Sequence, residues 1–189
     1  AVLNSLMEKC RTYGSQETSA LTAVCRLYPE KAGAYLVELF LSLDDPDSAQ
    51  AHWTLTTLAS IAPHLTRLLD RQLQKAPDAS LPRLLELVDL IMDEQMAPAL
   101  EGLLDHKDYA IRSMAIRTLG HLKCGKSVDR LGQILLDRSW IMGKKMKSLQ
   151  IDAARALAEI GTEEAREMLA LTVREGSGDL QALCNELLQ

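Results

Sequence analysis

Pro29, Pro63 and Pro98 recur 34 and 35 residues apart, and each opens a leucine-rich run: PEKAGAYLVELFLSL, PHLTRLLDRQL and PALEGLL. Proline belongs in the first turn of a helix, where its missing N–H costs nothing. Second apolar segments lie between these runs: TSALTAVCRLY, AHWTLTTLASIA and LPRLLELVDLIM. The second half continues the pattern without the prolines. AIRSMAIRTLGHL (110–122) aligns with SLQIDAARALAEI (148–160) at a shift of 38, which lays Ala115 on Ala153, Arg117 on Arg155 and Leu119 on Leu157. A further shift of 31 lays Leu157 on Leu188. A repeat this short cannot hold a core of its own and must bury its apolar faces against its neighbours.

Composition decides what each repeat is made of. The chain has 35 leucines and 22 alanines against one phenylalanine, a balance that favours helix over sheet. Apolar residues recur at helical spacing, as in Leu100, Leu103 and Leu104, or in Ile111, Met114, Ala115, Thr118, Leu119 and Leu122. The pattern predicts helices at 2–12, 16–28, 30–43, 47–61, 64–75, 80–93, 96–104, 108–121, 126–137, 146–160, 163–175 and 179–188. Breaks fall at Asp45-Pro46-Asp47, Ala76-Pro77-Asp78, Gly125, Gly161-Thr162 and Gly176-Ser177-Gly178, residues that cap and turn. The expected fold is an all-α solenoid of about six stacked antiparallel helix hairpins, forming a single domain over 1–189. Residue 1 is an alanine in mid-pattern, so the chain reads as one module of a longer protein.

Neither the tetratricopeptide pattern W-x-x-L-G-x-x-Y nor the ankyrin T-P-L-H occurs. LLDHKDYAIRSMAIRTLGHL joins an apolar helix end, an Asp-containing turn, Ile-Arg, an alanine and Leu-Gly. It resembles the HEAT repeat, in its short bacterial form. AARALAEIGTEEAREML repeats the second half, and DDPDSAQAHWTLTTLASI carries the turn more weakly. The resemblance is specific over 96–175. It implies a superhelix whose second helices line a concave face, with Gln50, Thr54, Arg83, Arg117 and Arg155 on that face. It also implies that Asp108 and Arg112 are rungs of a structural ladder between repeats. Asp47 holds the matching upstream turn, but Ala51 stands near the Arg position there.

Catalytic and metal patterns are few. No histidine among His52, His64, His106 and His121 has a partner at i+4, and H-E-x-x-H is absent. HEAT-like deoxyhypusine hydroxylases use His-Glu dipeptides for iron, and this sequence has none. Cys10, Cys25, Cys124 and Cys184 form no C-x-x-C pair, which fits reduced thiols of a cytoplasmic protein. Cys25, Cys124 and Cys184 read as small apolar fillers. Gly125-Lys126-Ser127 mimics the end of a phosphate loop but lacks its upstream glycine. Gly125 is better read as ending one helix, with Ser127 helping to start the next. No cofactor follows from any spacing, and no apolar stretch is long enough to span a membrane.

Two features suggest binding. Residues 138–147, where the repeat lengthens, read as an inter-helix insertion carrying Arg138, Trp140, Ile141, Met142, Lys144, Lys145 and Lys147. Aromatic and methionine side chains with cationic flanks suit protein partners, although Trp140 and Ile141 could instead fold back over the helix ends. Arg117 and Arg155 hold equivalent positions, so stacking should bring them close enough to receive an acidic peptide or phosphate. They could equally pair with Asp152 or Glu159. Charge is graded along the chain: 8 basic and 14 acidic residues over 1–104, 10 and 4 over 105–150, and 3 and 8 over 151–189.

The sequence therefore reads as a non-catalytic interaction scaffold or regulatory module that presents a concave helical face and a basic Trp-containing loop to a protein or acidic peptide. The resemblance leaves two alternatives. A HEAT-like bilin lyase, or another enzyme handling a small ligand, would want a large aromatic groove, and there is one phenylalanine. A HEAT-like alkyl-base DNA glycosylase would want a strongly basic face, and the acidic ends would repel phosphates.

Overall fold

The computed structural model describes residues 18–45, 47–137, 143–176 and 178–189, with residues 18 and 143–145 described by their backbone alone. The helix expected over 2–12, with Cys10, lies outside them. The described residues form eleven α-helices and no strand: α1 (Thr18–Leu27), α2 (Pro29–Ser42), α3 (Ala49–Ser60), α4 (Thr66–Lys75), α5 (Leu81–Ile91), α6 (Ala97–Gly102), α7 (Tyr109–His121), α8 (Val128–Leu136), α9 (Gly143–Ile160), α10 (Glu163–Glu175) and α11 (Gly178–Leu187). Contacts divide the chain into two compact units, Ala1–Ile91 and Met92–Gln189.

In the first unit α3 packs against both α1 and α2, α5 packs against α3 and α4, and a 3₁₀ turn at Ala62–His64 leads into α4. Pro29 and Pro63 sit in the first turns of α2 and of that 3₁₀ turn. The core is a leucine stripe, Leu36, Leu58, Leu65, Leu69, Leu84 and Leu87, closed by Phe40. In the second unit α9 lies between α7 and α11, and α8 packs against α10. Its helices thus form two rows: the first helices of successive hairpins (α8, α10), and the second helices (α7, α9, α11). The predicted stripe on α7 is buried at Ile111, Ala115, Thr118, Leu119 and Leu122.

Most helix ends follow local chemistry. Ser48, Asp108 and Thr162 accept backbone N–H bonds from Ala51, Ala110 and Ala165, each satisfying a donor that the helix leaves open. Gly161, at φ +68°, stops α9. Three ends differ from expectation. After α7 the left-handed residue is Lys123, at φ +51°, so the helix has already ended before Gly125, which opens a 3₁₀ turn. Ser127 does not cap α8. It is fully buried and donates to Glu101 Oε1 at 2.6 Å. Finally, α9 starts at Gly143 rather than at 146, because Met146 and Leu149, three apart, are both buried and pin its first turns to the core.

A recurring polar device closes the first helices. Gln150 on α9 donates to the carbonyls of Leu135 (3.0 Å) and Asp137 (2.7 Å) at the end of α8. Gln181 on α11, 31 residues later, donates to Val173 O near the end of α10 (2.7 Å). In the first unit Arg83 does the same for α2, donating to Leu41 and Leu43 while its guanidinium stacks 4.8 Å from the Phe40 ring centroid. Helices leave their last carbonyls open, and these long side chains fill them. Asp108 is a local helix cap. Arg112, which stands 38 residues before Gln150, is half-buried.

Candidate functional site

The second helices of the second unit carry the candidate surface, and small residues let them approach. A Cβ added to Gly120 on α7 would stand 2.7 Å from Ala156 Cα and 2.8 Å from Ala156 Cβ on α9, so the two backbones are nearly in contact. Ser113 Oγ donates to Asp152 Oδ2 across the same seam at 2.6 Å. At the ends of the two helices, His121 Nε2 faces Glu159 Oε2 at 3.7 Å. His121 and Glu159 are related by the 38-residue shift, so equivalent positions on α7 and α9 lie side by side. At the next seam Lys147 on α9 meets Asp179 on α11 at 2.6 Å, a separation of 32 that lies within one residue of the following shift.

Arg117 and Arg155 stand one turn before His121 and Glu159, at equivalent positions of these neighbouring helices. Both are exposed. Arg117 Nε makes a long hydrogen bond of 3.4 Å to Ser113 O in its own helix. Asp152 is taken by Ser113 and Glu159 faces His121. Two cations on adjacent, closely packed helices therefore point to solvent within one patch. Continuing the row by 31 residues reaches Glu186 on α11, which is also exposed. The shift that lays Leu157 on Leu188 also lays Arg155 on this acidic residue, so the sequence carried the signal for it.

Other expected positions behave differently. Arg138, Trp140, Ile141 and Met142 lie outside the described residues. Lys144, Lys145 and Lys147 do not belong to an inter-helix insertion, because α9 already includes them. Lys147 is exposed, and the hydrogen bond and charge it supplies hold the Asp179 carboxyl below its ordinary value. Arg130, another cation of the basic stretch, meets Asp105 at 2.7 Å. Of the residues placed on a concave face by resemblance, Thr54 is buried and donates to Gln50 O at 2.7 Å within its own helix, because its β-branched hydroxyl folds back on the preceding turn. Arg83 is half-buried and committed to the end of α2. Gln50 is half-buried.

Cys25, Cys124 and Cys184 are buried, as expected of apolar fillers, and burial pushes the Cys184 thiol up from its ordinary value. Among the described residues no three His, Cys, Asp or Glu side chains gather as metal ligands would, and no helix is long and apolar enough to cross a membrane.

Residues 96–186 match the family model for HEAT repeats. These residues are HEAT repeats. The whole chain also resembles two crystal structures of engineered proteins from the Northeast Structural Genomics Consortium. One matches at TM-score 0.52 and 16% identity, covering 100% of this chain and 95% of that protein. The other matches at TM-score 0.52 and 17% identity, covering 98% of this chain, which spans 56% of its length. At such identities the likeness is one of fold, an all-α solenoid. No curated protein sequence matches the chain. HEAT repeats typically serve as protein-interaction scaffolds, and the fold is generally non-catalytic.

Proposed function

We propose that this chain is a non-catalytic, cytoplasmic protein-interaction scaffold whose contact surface is the α7–α9 face, and that its partner presents acidic side chains there. The observation that carries the reading is the pair Arg117 and Arg155, exposed at equivalent positions of two helices that touch through Gly120 and Ala156. Like charges held side by side repel each other, and an incoming carboxylate relieves that repulsion while gaining guanidinium hydrogen bonds. A nucleic-acid reading receives less support, since Arg130 and Lys147 already face carboxylates. The segment 138–147, with Arg138, Trp140, Met142, Lys144, Lys145 and Lys147, is proposed as a second contact.

The test is binding of a labelled oligoglutamate peptide, followed by fluorescence anisotropy at low salt. The native chain should bind, and the Arg117→Glu/Arg155→Glu variant should bind roughly tenfold more weakly with unchanged helicity, two exposed charge pairs and their reversal being at stake. Equal binding by both forms, or by neither, overturns the assignment of this face. Trp140→Ala in the same assay reports on the second contact. A loss of affinity at unchanged melting temperature supports it, and a fall in melting temperature places Trp140 in the core instead.

A further inference from the structure

The row of second helices also has a spacing and a sign at each step, and together they specify more than an acidic partner. This inference rests on the scaffold reading and narrows it. Along the row the exposed residues at equivalent positions are Arg117, Arg155 and Glu186: two cations followed by an anion. The shift of 38 marks true neighbours, since His121 faces Glu159. Ser113 bonds Asp152 at a separation of 39 and Lys147 meets Asp179 at 32, each within one residue of the two shifts. Gln150 and Gln181, 31 apart, perform the same capping task.

Packed helices lie about 8–10 Å apart, and the near-contact of Gly120 with Ala156 puts α7 and α9 toward the short end of that range. A ligand crossing the helices must offer a charge at each such step, all on one side. A β-strand does not do this. Its same-face residues are two apart, or about 6.6 Å, and residues three apart point to opposite faces. The polyproline II conformation does, because it has three residues per turn and rises about 3.1 Å per residue. Residues i, i+3 and i+6 then share one face at intervals of about 9.3 Å. Its backbone makes no internal hydrogen bonds and stays solvated, so it can lie across a polar helical surface without burying unpaired groups.

We infer that the α7–α9–α11 row is a docking surface for an extended, polyproline II-like peptide segment of a partner protein, carrying charges in the order acidic-x-x-acidic-x-x-basic. The first acidic residue meets Arg117, the second Arg155, and the basic residue meets Glu186. The sign change at Glu186 makes the surface selective. A uniformly acidic segment meets repulsion at the third step, and mismatched charge is a common means of rejecting wrong partners. It also gives the peptide a direction, since the reversed order would set the basic residue against Arg117.

The experiment is selection from a seven-residue peptide library in which every position is glutamate, proline, alanine or lysine. The full chain is immobilised, the retained pool is sequenced, and the Arg117→Glu/Arg155→Glu chain serves as the reference. Enrichment of glutamate at two positions three apart, with lysine three further on, supports the inference. So does enrichment of proline at the intervening positions. In individual peptides each matched position should be worth about two- to fivefold in affinity, the range of an exposed ion pair. Glu186→Lys should then exchange lysine for glutamate at the last position and leave the first two unchanged. Retention of acidic peptides without positional preference overturns the charge order while leaving the acidic-partner surface standing. A pool no different from that of the reference chain overturns both.

Discussion

The two compact units solve the same packing problem with different chemistry. In the second, neighbouring second helices come together through Gly120 and Ala156, and their polar side chains meet across the seam at equivalent positions. In the first, the corresponding seam is filled by larger groups. Trp53 Nε1 on α3 donates to Thr22 Oγ1 on α1 at 3.1 Å, and Thr22 and Thr57 hydroxyls lie 3.3 Å apart, with Thr57 buried. Where the second unit closes the ends of α8 and α10 with glutamines, the first closes α2 with Arg83 stacked on Phe40. The lesson is that the family signature follows the close approach. Alanine and Leu-Gly at fixed places are needed where backbones touch, and that pattern fades where hydroxyls and an indole fill the seam.

The sharpest way to break this comparison is to add one methyl group to each unit. Gly120→Ala drives a Cβ into the Ala156 backbone, which has no rotamer to escape by. The gain in helix propensity should be outweighed by about 1–3 kcal/mol of overpacking. Gly33→Ala on α2 meets only the end of the Leu65 side chain at close range, which can turn away. Its net effect should stay within about 1 kcal/mol, because glycine's helical cost of about 0.5–1 kcal/mol is recovered. Urea unfolding midpoints measure both, and equal losses would sink the distinction.

A smaller effect separates the two kinds of helix closure. Arg83→Met keeps the stem but removes the charged donor from Leu41 and Leu43, and should cost about 2 kcal/mol. Gln150→Leu removes a neutral donor from Leu135 and Asp137 and should cost about 1 kcal/mol. Thermal unfolding ranks them, and the reverse order would mean that the stacking on Phe40 contributes little.

The smallest effect is at the exposed seam of α9 and α11. Lys147 lowers the Asp179 pKa, so the pair contributes at pH above the unfolded carboxyl value of 3.8, and the contribution is lost as pH falls through the lower folded value. Lys147→Met should return the Asp179 titration, followed by carboxyl NMR, toward 3.8 and leave the melting temperature nearly unchanged. An unmoved titration would show that Lys147 and Asp179 do not associate in solution.

Much of this architecture was legible in the residues. Asp108, Thr162 and Gly161 act where local end chemistry puts them, whereas the cap of α3 is Ser48, one residue beyond the expected Asp45-Pro46-Asp47 break. The 38-residue alignment of 110–122 with 148–160 survives as a physical seam. The failures share a cause. Gly125 reads as a helix stop, yet Lys123 takes the left-handed position and the chain has already turned. Lys144, Lys145 and Lys147 looked like a loop because lysines do not mark a helix start, and buried Met146 anchors one there.

By itself the sequence determined the helices, their order and the registers at which they repeat, since 3.6-residue periodicity and end-capping are properties of neighbouring residues. Which polar side chains remain for a partner was decided only by tertiary structure. Arg83, Arg117, Arg130 and Arg155 are the same residue type on amphipathic helices. Arg83 is spent on a helix end 40 residues away and Arg130 faces a carboxylate 25 away, while Arg117 and Arg155 stay exposed. A long side chain's partner is set by whatever helix the stacking brings beside it, and that lies outside any local pattern.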